Sequence, residues 1–339
     1  MTQYPTRGGI DSFGLYKAED SYGADPGTWT ANAAHFGMTQ KITPSSKRTL
    51  NKVRGLSGTL PTVYTASTSR DAKQIFSGKF EVGCSVEFQP QTFAFMELVM
   101  GTVSGSDPYY YPQATATTEA DKKLYTTAKS FSIMTRFDFG GTTDSADKVW
   151  IYSGMIVNSF TLKAAMGEAV SCTLDCVGAT MTADVTTVAT SYPFTALSAA
   201  DVYNFVHCDV EYGGVSITNI IEGFDLTLGS TAEILYGLGA VTGKHGTIKA
   251  RDVSLTVDLT FEGTQFLDDF MGEATTVAAA PVKIDTIELK LVKSASIDCT
   301  ITLKNCKLSS PDTDMSYGEI SKEKLNLEAE FMYVVENRA

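Results

Sequence analysis

Two stretches of this sequence repeat one physical plan: a strand, then a short helix, then a glycine stop. In the first, Val82, Cys84, Val86 and Phe88 alternate with Glu81, Gly83, Ser85 and Glu87, the two-residue period of a half-buried strand. After Pro90 the period changes. Phe95, Met96, Val99 and Met100 share one helical face, and Gly101 stands where a helix stop is expected. In the second, Val253, Leu255, Val257 and Leu259 alternate with Asp252, Ser254, Thr256 and Asp258, and Phe266, Leu267, Phe270, Met271 and Gly272 follow. Segments 81–101 and 252–272 align without a gap. Val82/Val253, Val86/Val257, Phe95/Phe266, Met100/Met271 and Gly101/Gly272 are identical, and acid meets acid at Glu81/Asp252, Glu87/Asp258 and Glu97/Asp268. Any two strand–helix units share some of this pattern. Here strand face, helix face, stop and outward acids match together, so the expected fold is mainly β and duplicated, with one short helix packed on the sheet of each module.

The rest of the chain is divided on that basis. Residues 1–60 read as an irregular arm, because Gly8-Gly9, Pro26-Gly27 and Pro44 interrupt any long periodic element. The first module is placed at 61–190, with a long loop over 102–129, and the second at 191–339. Further strands are expected at 130–139, 148–162, 169–177, 284–292, 298–308 and 324–334. In the arm, Lys41, Lys47, Arg48, Lys52 and Arg54 are basic residues with no acid between Asp25 and Asp71. Three readings stay open for them: a solvated loop, a nucleic-acid patch, or docking onto an acidic neighbouring copy. Tyr109, Tyr110 and Tyr111 in the loop are either a contact surface or the aromatics on which the loop folds.

Charge favours the docking reading. The net charge is −12, and the chain from Ser191 onward carries 11 basic and 22 acidic residues. Such a chain repels phosphates and is a poor nucleic-acid gripper. Catalysis finds no support either. Gly237 to Lys244 looks like a phosphate loop, but three residues separate Gly239 from Gly243 and His245 follows the lysine, where a P-loop needs four residues and a hydroxyl. His35, His207 and His245 lie far apart, no GxSxG elbow occurs, and Asp268-Asp269 reads as a solvated helix face. The expectation is therefore no enzyme and no cofactor. The six cysteines, none in a CxxC pair, read as small buried hydrophobes, with a disulfide or metal framework as the minor alternative. No apolar run approaches the roughly 18 residues of a membrane span, and Met1 to Lys17 has no hydrophobic signal core. The expected site of folding is a cytoplasm.

The pieces together resemble the major tail tube proteins of tailed viruses of bacteria and archaea. The likeness rests on the arm, Glu19-Asp20-Ser21-Tyr22-Gly23-Ala24-Asp25-Pro26-Gly27 with Trp29 and His35-Phe36-Gly37; on Gly154-Met155-Ile156-Val157-Asn158-Ser159-Phe160-Thr161-Leu162 followed by the run to Gly178; and on the strand–helix unit at 81–101. The resemblance implies β-sandwich or barrel-like modules whose inner strands join a barrel shared between subunits. It implies stacked rings, trimeric with pseudo-sixfold symmetry or hexameric, in a virion tail that passes DNA without binding it. Other tail proteins would meet the tube at its ends. About 24 inner strands at roughly 4.8 Å spacing give a diameter of about 37 Å, and strand tilt widens it enough for a DNA duplex. Glu81, Glu87, Asp252 and Asp258 are the candidates to line that bore; the rival assignment turns them outward for solubility. A tail adaptor, hub or terminator, or a glycan-binding adhesin, is the alternative function.

Overall fold

The computed structural model describes residues 14–24, 29, 34–53, 74–101, 103–105, 108–111, 129–137, 148–185, 201–261, 265–272, 276–279, 281–314 and 321–338. The chain is mostly β. Its first half holds β1 (Gly14–Ala18), β2 (Ala34–His35), β3 (Met38–Val53), β4 (Gln74–Gln89), α1 (Met96–Met100), β5 (Tyr109–Tyr111), β6 (Phe131–Phe137), β7 (Lys148–Ala165), β8 (Ser171–Gly178) and β9 (Thr180–Val185). Its second half holds β10 (Cys208–Tyr212), β11 (Val215–Ser216), β12 (Ile221–Tyr236), β13 (Gly243–Thr260), α2 (Gln265–Met271), β14 (Ile284–Ser294), β15 (Ile297–Asp314), β16 (Lys322–Ala329) and β17 (Phe331–Asn337).

One antiparallel sheet runs through both halves in the order β3-β4-β8-β7-β12-β13-β16-β15. A smaller sheet, β2-β1-β6-β7-β9, covers it in the first half. Another, β11-β10-β14-β15-β17-β5, covers it in the second. The long strands β7 and β15 belong to two sheets each and bend between them. β7 bends at Gly154 (φ 70) and β15 at Asn305 (φ 56), the one non-glycine with positive φ among the described residues. A Cβ at position 154 would stand 2.6 Å from that of Ala179, so only glycine fits this bend. The Gly154 N–H donates to the Glu19 carboxylate at 2.6 Å, which also accepts from the Ser132 hydroxyl and the Gly23 N–H.

Ladder by ladder, the halves carry the same pairings. β3–β4, β4–β8, β8–β7, β6–β7, β7–β9 and β1–β6 answer to β12–β13, β13–β16, β16–β15, β14–β15, β15–β17 and β10–β14. The irregularities match too. Register shifts at Thr39/Lys41 and Arg48/Leu50 on β3 correspond to those at Ile221/Gly223 and Ser230/Ala232 on β12. The shift at Val157/Ser159 on β7 corresponds to that at Leu308/Ser310 on β15. Bulges re-aim a strand at a chosen point, so shared bulges are more specific than shared strands.

The core lies between the sheets. Val82, Cys84, Val86 and Phe88 face it from β4, as do Val253, Leu255, Val257 and Leu259 from β13. α1 is sealed: Met96, Leu98, Val99 and Met100 are all buried. α2 is not, since Phe266 is buried while Leu267 and Phe270 remain 41% and 38% exposed. The sequence expectation of one apolar helix face therefore holds fully for α1 only. Five of the cysteines are buried and none is paired; burial pushes the Cys84 and Cys306 thiols up to about 12.

Two sequence expectations are corrected. Residues 38–53, assigned to an irregular arm, are a sixteen-residue strand. Pro44 does not break it, because β3 is an edge strand among the described residues, and a missing N–H on its outer side costs the ladder nothing. Tyr109–Tyr111, assigned to a loop, forms β5 on the outer side of β17.

The first-half segment after β4 is locked to the C-terminal strand. Glu336, 1% exposed, accepts from the Phe93 N–H at 2.6 Å and pairs with the Arg338 guanidinium at 2.6 Å. Arg338 in turn lies 4.0 Å from the centre of the Tyr109 ring. Lys293 reaches back to the Gln91 carbonyl at 2.8 Å.

Candidate functional site

Alternation gives the eight-stranded sheet two unlike faces. The apolar face meets the smaller sheets. The other carries Lys41, Thr43, Ser45 and Lys47 on β3, Ser159, Thr161 and Lys163 on β7, and Asp225 and Thr227 on β12, all wholly or partly exposed. All four acids singled out in the sequence lie on this polar face. Glu81 and Glu87 are half-buried, and Asp252 and Asp258 are exposed. They do not form a bare acidic strip. Lys41 pairs with Glu87 at 3.0 Å, Lys79 with Glu81, Lys324 with Asp258 at 3.8 Å and Lys163 with Asp225 at 2.6 Å. The hydrogen bond from Lys79, outweighing partial burial, holds the Glu81 carboxyl below its ordinary range. At such exposure these pairs contribute little to stability. They produce a hydrophilic, mixed-charge surface without a grip for an anion.

The polar face is concave at one end. There the ends of β7, β12, β13, β15 and β16 enclose a cleft of about 620 Å³ lined by Lys163, Asp225, Asp258, Asp312, Asp314 and Lys324. Glu323 borders it from the core side, 3% exposed, in the place that Cys172 holds in the first half. One of its carboxylate oxygens has no hydrogen-bond partner, and burial raises its pKa above 4.5. A raised carboxyl favours the protonated folded state, so this group's contribution is full below pH 4.5 and lost as pH rises through the folded value. Glu323→Gln is accordingly expected to gain about 1 kcal/mol of stability at pH 7 and nothing near pH 4. Thermal melts at the two pH values check this; equal shifts at both contradict it.

The basic residues of the former arm do not form one patch. Lys41 and Lys47 stand on the polar face. Arg48 points the other way, with its guanidinium 5.5 Å from the Phe80 ring centre. Lys52 is exposed farther along β3, and Arg54 lies outside the described residues. Of the tyrosines, Tyr109 is already engaged by Arg338, and the Tyr110 and Tyr111 backbones pair with Val335 and Val334. Among the described residues, no group of three His, Cys, Asp or Glu is placed to hold a metal ion, and no helix is long and apolar enough to cross a membrane. Residues 237–242 form the turn between β12 and β13.

What the sequence reading missed are the two edges of the large sheet. Among the described residues β3 pairs only with β4, and Leu308–Asp314 of β15 only with β16. Both lack apolar alternation, reading Lys41-Ile42-Thr43-Pro44-Ser45-Ser46-Lys47 and Leu308-Ser309-Ser310-Pro311-Asp312-Thr313-Asp314. A proline in each was the available signal, since proline inside a sheet marks an edge. Inside the chain, by contrast, β7 and β12 join the halves through a seven-pair ladder from Gly223/Ala165 to Gly229/Ser159.

A family model described as phage tail tube protein matches residues 9–331. No curated protein matches the chain at a significant level.

Proposed function

The chain belongs to the phage tail tube protein family, a structural component of a virion tail, and from that premise we propose that copies of it close into stacked rings forming the conduit for viral DNA. The observation that carries the reading is the large sheet, which among the described residues ends in two unpaired edges of opposite character. An open sheet is a liability in a monomer and an assembly device in a ring. Repeated ladders and shared bulges support two modules built by duplication, joined within the chain at β7–β12.

Eight strands per chain suit a ring of three copies, because about 24 strands at roughly 4.8 Å spacing close a barrel about 37 Å across. The polar face, with Glu81, Glu87, Asp252 and Asp258, then looks into the bore, and the smaller sheets and helices form the outer wall. Paired lysines temper the carboxylates, leaving a wetted surface past which DNA slides. Charge acts there over the Debye length of about 8 Å at physiological salt.

Electron microscopy of the purified protein tests this. Long tubes with threefold symmetry and the four acids on the bore are the expected result. Single rings would favour an adaptor, hub or terminator. A stable monomer that binds a glycan would favour the adhesin reading, and acids on the outer wall would overturn their lumen placement.

A further inference from the structure

We infer that the joint between copies repeats the joint within the chain, residue for residue; the inference rests on the ring reading above and adds its register. Ladder equivalence fixes the transfer. Asp225/Thr256 and Thr227/Ser254 on β12–β13 correspond to Thr43/Ser85 and Ser45/Gly83 on β3–β4. Likewise Lys163/Ser171 and Thr161/Thr173 on β7–β8 correspond to Asp314/Lys322 and Asp312/Lys324 on β15–β16. The internal pairs Asp225/Lys163, Thr227/Thr161 and Gly229/Ser159 therefore become Thr43/Asp314, Ser45/Asp312 and Lys47/Ser310 between neighbours.

Three features of these edges fit one another. The first is charge. Asp314 takes the place of Lys163, whose 2.6 Å pair with Asp225 clamps the internal joint. In the transferred register Lys41 and Lys47 fall diagonal to Asp314 and Asp312, within reach of a long side chain across a ladder.

The second is hydrogen bonding. The Met166 N–H donates to the Glu222 carbonyl at 2.9 Å, so Leu162/Leu226 and Phe160/Leu228, in step with it, are hydrogen-bonded pairs. Their counterparts are Thr313/Pro44 and Pro311/Ser46. Each proline's missing donor thus falls on the outer side, leaving the ladders within the chain whole. Each proline also meets a residue of the neighbour that still donates, Thr313 or Ser46. The joint between copies is a thinned version of the internal one.

The third is the hairpin end. The β12–β13 end lies on the first half, where the Val241 carbonyl accepts from the Phe80 N–H at 2.8 Å, Tyr236 donates to the Phe80 carbonyl at 2.9 Å, and the Gly243 N–H donates to Ala179 at 3.1 Å. Among the described residues the β3–β4 end makes no such bonds, and Leu50, Ile75 and Phe76 there are 60%, 56% and 47% exposed. In the ring it seats on the neighbour's second half, near Glu330, which follows β16 as Ala179 follows β8.

Disulfide trapping tests the register. Ser45→Cys with Asp312→Cys is expected to cross-link neighbouring chains in assembled protein, because Thr161/Thr227 is a non-hydrogen-bonded pair with close Cα atoms. Thr161→Cys with Thr227→Cys is the internal control, bridging within one chain. Ser45→Cys with Asp314→Cys, two residues out of step, should stay reduced. A closed three-copy ring yields a largest covalent species of three chains. Tubes that bridge 45 to 314, or that bridge neither while the internal control closes, overturn the register and leave the tube reading intact. Wild-type protein that never assembles overturns both. If the cysteine chains fail to assemble, a density map of wild-type tubes decides the matter by which residue lies opposite Ser45.

Discussion

Ser46→Pro combined with Thr313→Pro is expected to abolish tube formation and leave a folded monomer. Both residues lie on strands that are edges of the sheet among the described residues, and in the transferred register their N–H groups point away from β4 and β16. Proline there removes no ladder bond within the chain. It does remove the two donors that Pro44 and Pro311 leave in this part of the joint, and its ring crowds the approaching strand. With each chain adding one such joint to every ring, the loss multiplies along the tube. The checks are a melting temperature within a few degrees of wild type, and electron micrographs without tubes. Tubes of ordinary length would mean that these edges do not meet.

Glu336→Ala is expected to lower folding stability by about 3 kcal/mol. The carboxylate is buried, accepts the Phe93 N–H and balances Arg338. Truncation leaves the Phe93 N–H without its acceptor and takes the carboxylate from Arg338, beside α1, whose residues are the most completely buried of either helix. Chemical denaturation of the unassembled chain measures the loss, with the slope unchanged if only the native state is affected. A change below about 1 kcal/mol would show that the locked C-terminal strand adds little. Because Glu336 closes the first half from the second, the variant should also expose α1 to proteolysis before the rest of the chain.

The sequence disclosed the parts of this fold that bury apolar surface. β4, β8, β13 and the turn into each helix were readable because one side of each element must leave water, and a period of two or of 3.6 records that need. β3 and the end of β15 were not readable. No described strand borders their outer sides in the single chain, and Lys41 to Lys47 and Ser310 to Asp314 carry no apolar rhythm. β5 was missed for a related reason: three tyrosines have no alternation to reveal a strand. The four acids were placed correctly on one polar face by parity alone. The lysines that meet Glu87 and Asp258 were not, because Lys41 and Lys324 come from strands distant in sequence. The candidate joint was thus hidden where the chain is least hydrophobic, and it became visible only when one half could be compared with the other.

β5 breaks the likeness of the halves. It borders β17, and among the described residues no strand borders β9 in the same way. A ring of these chains would therefore look sixfold from its bore and threefold from its outer wall. Any protein that decorates the tube by recognising β5 would bind once per chain and sit at alternate corners of the apparent hexagon. The stoichiometry of such decoration reads the number of chains from the outside.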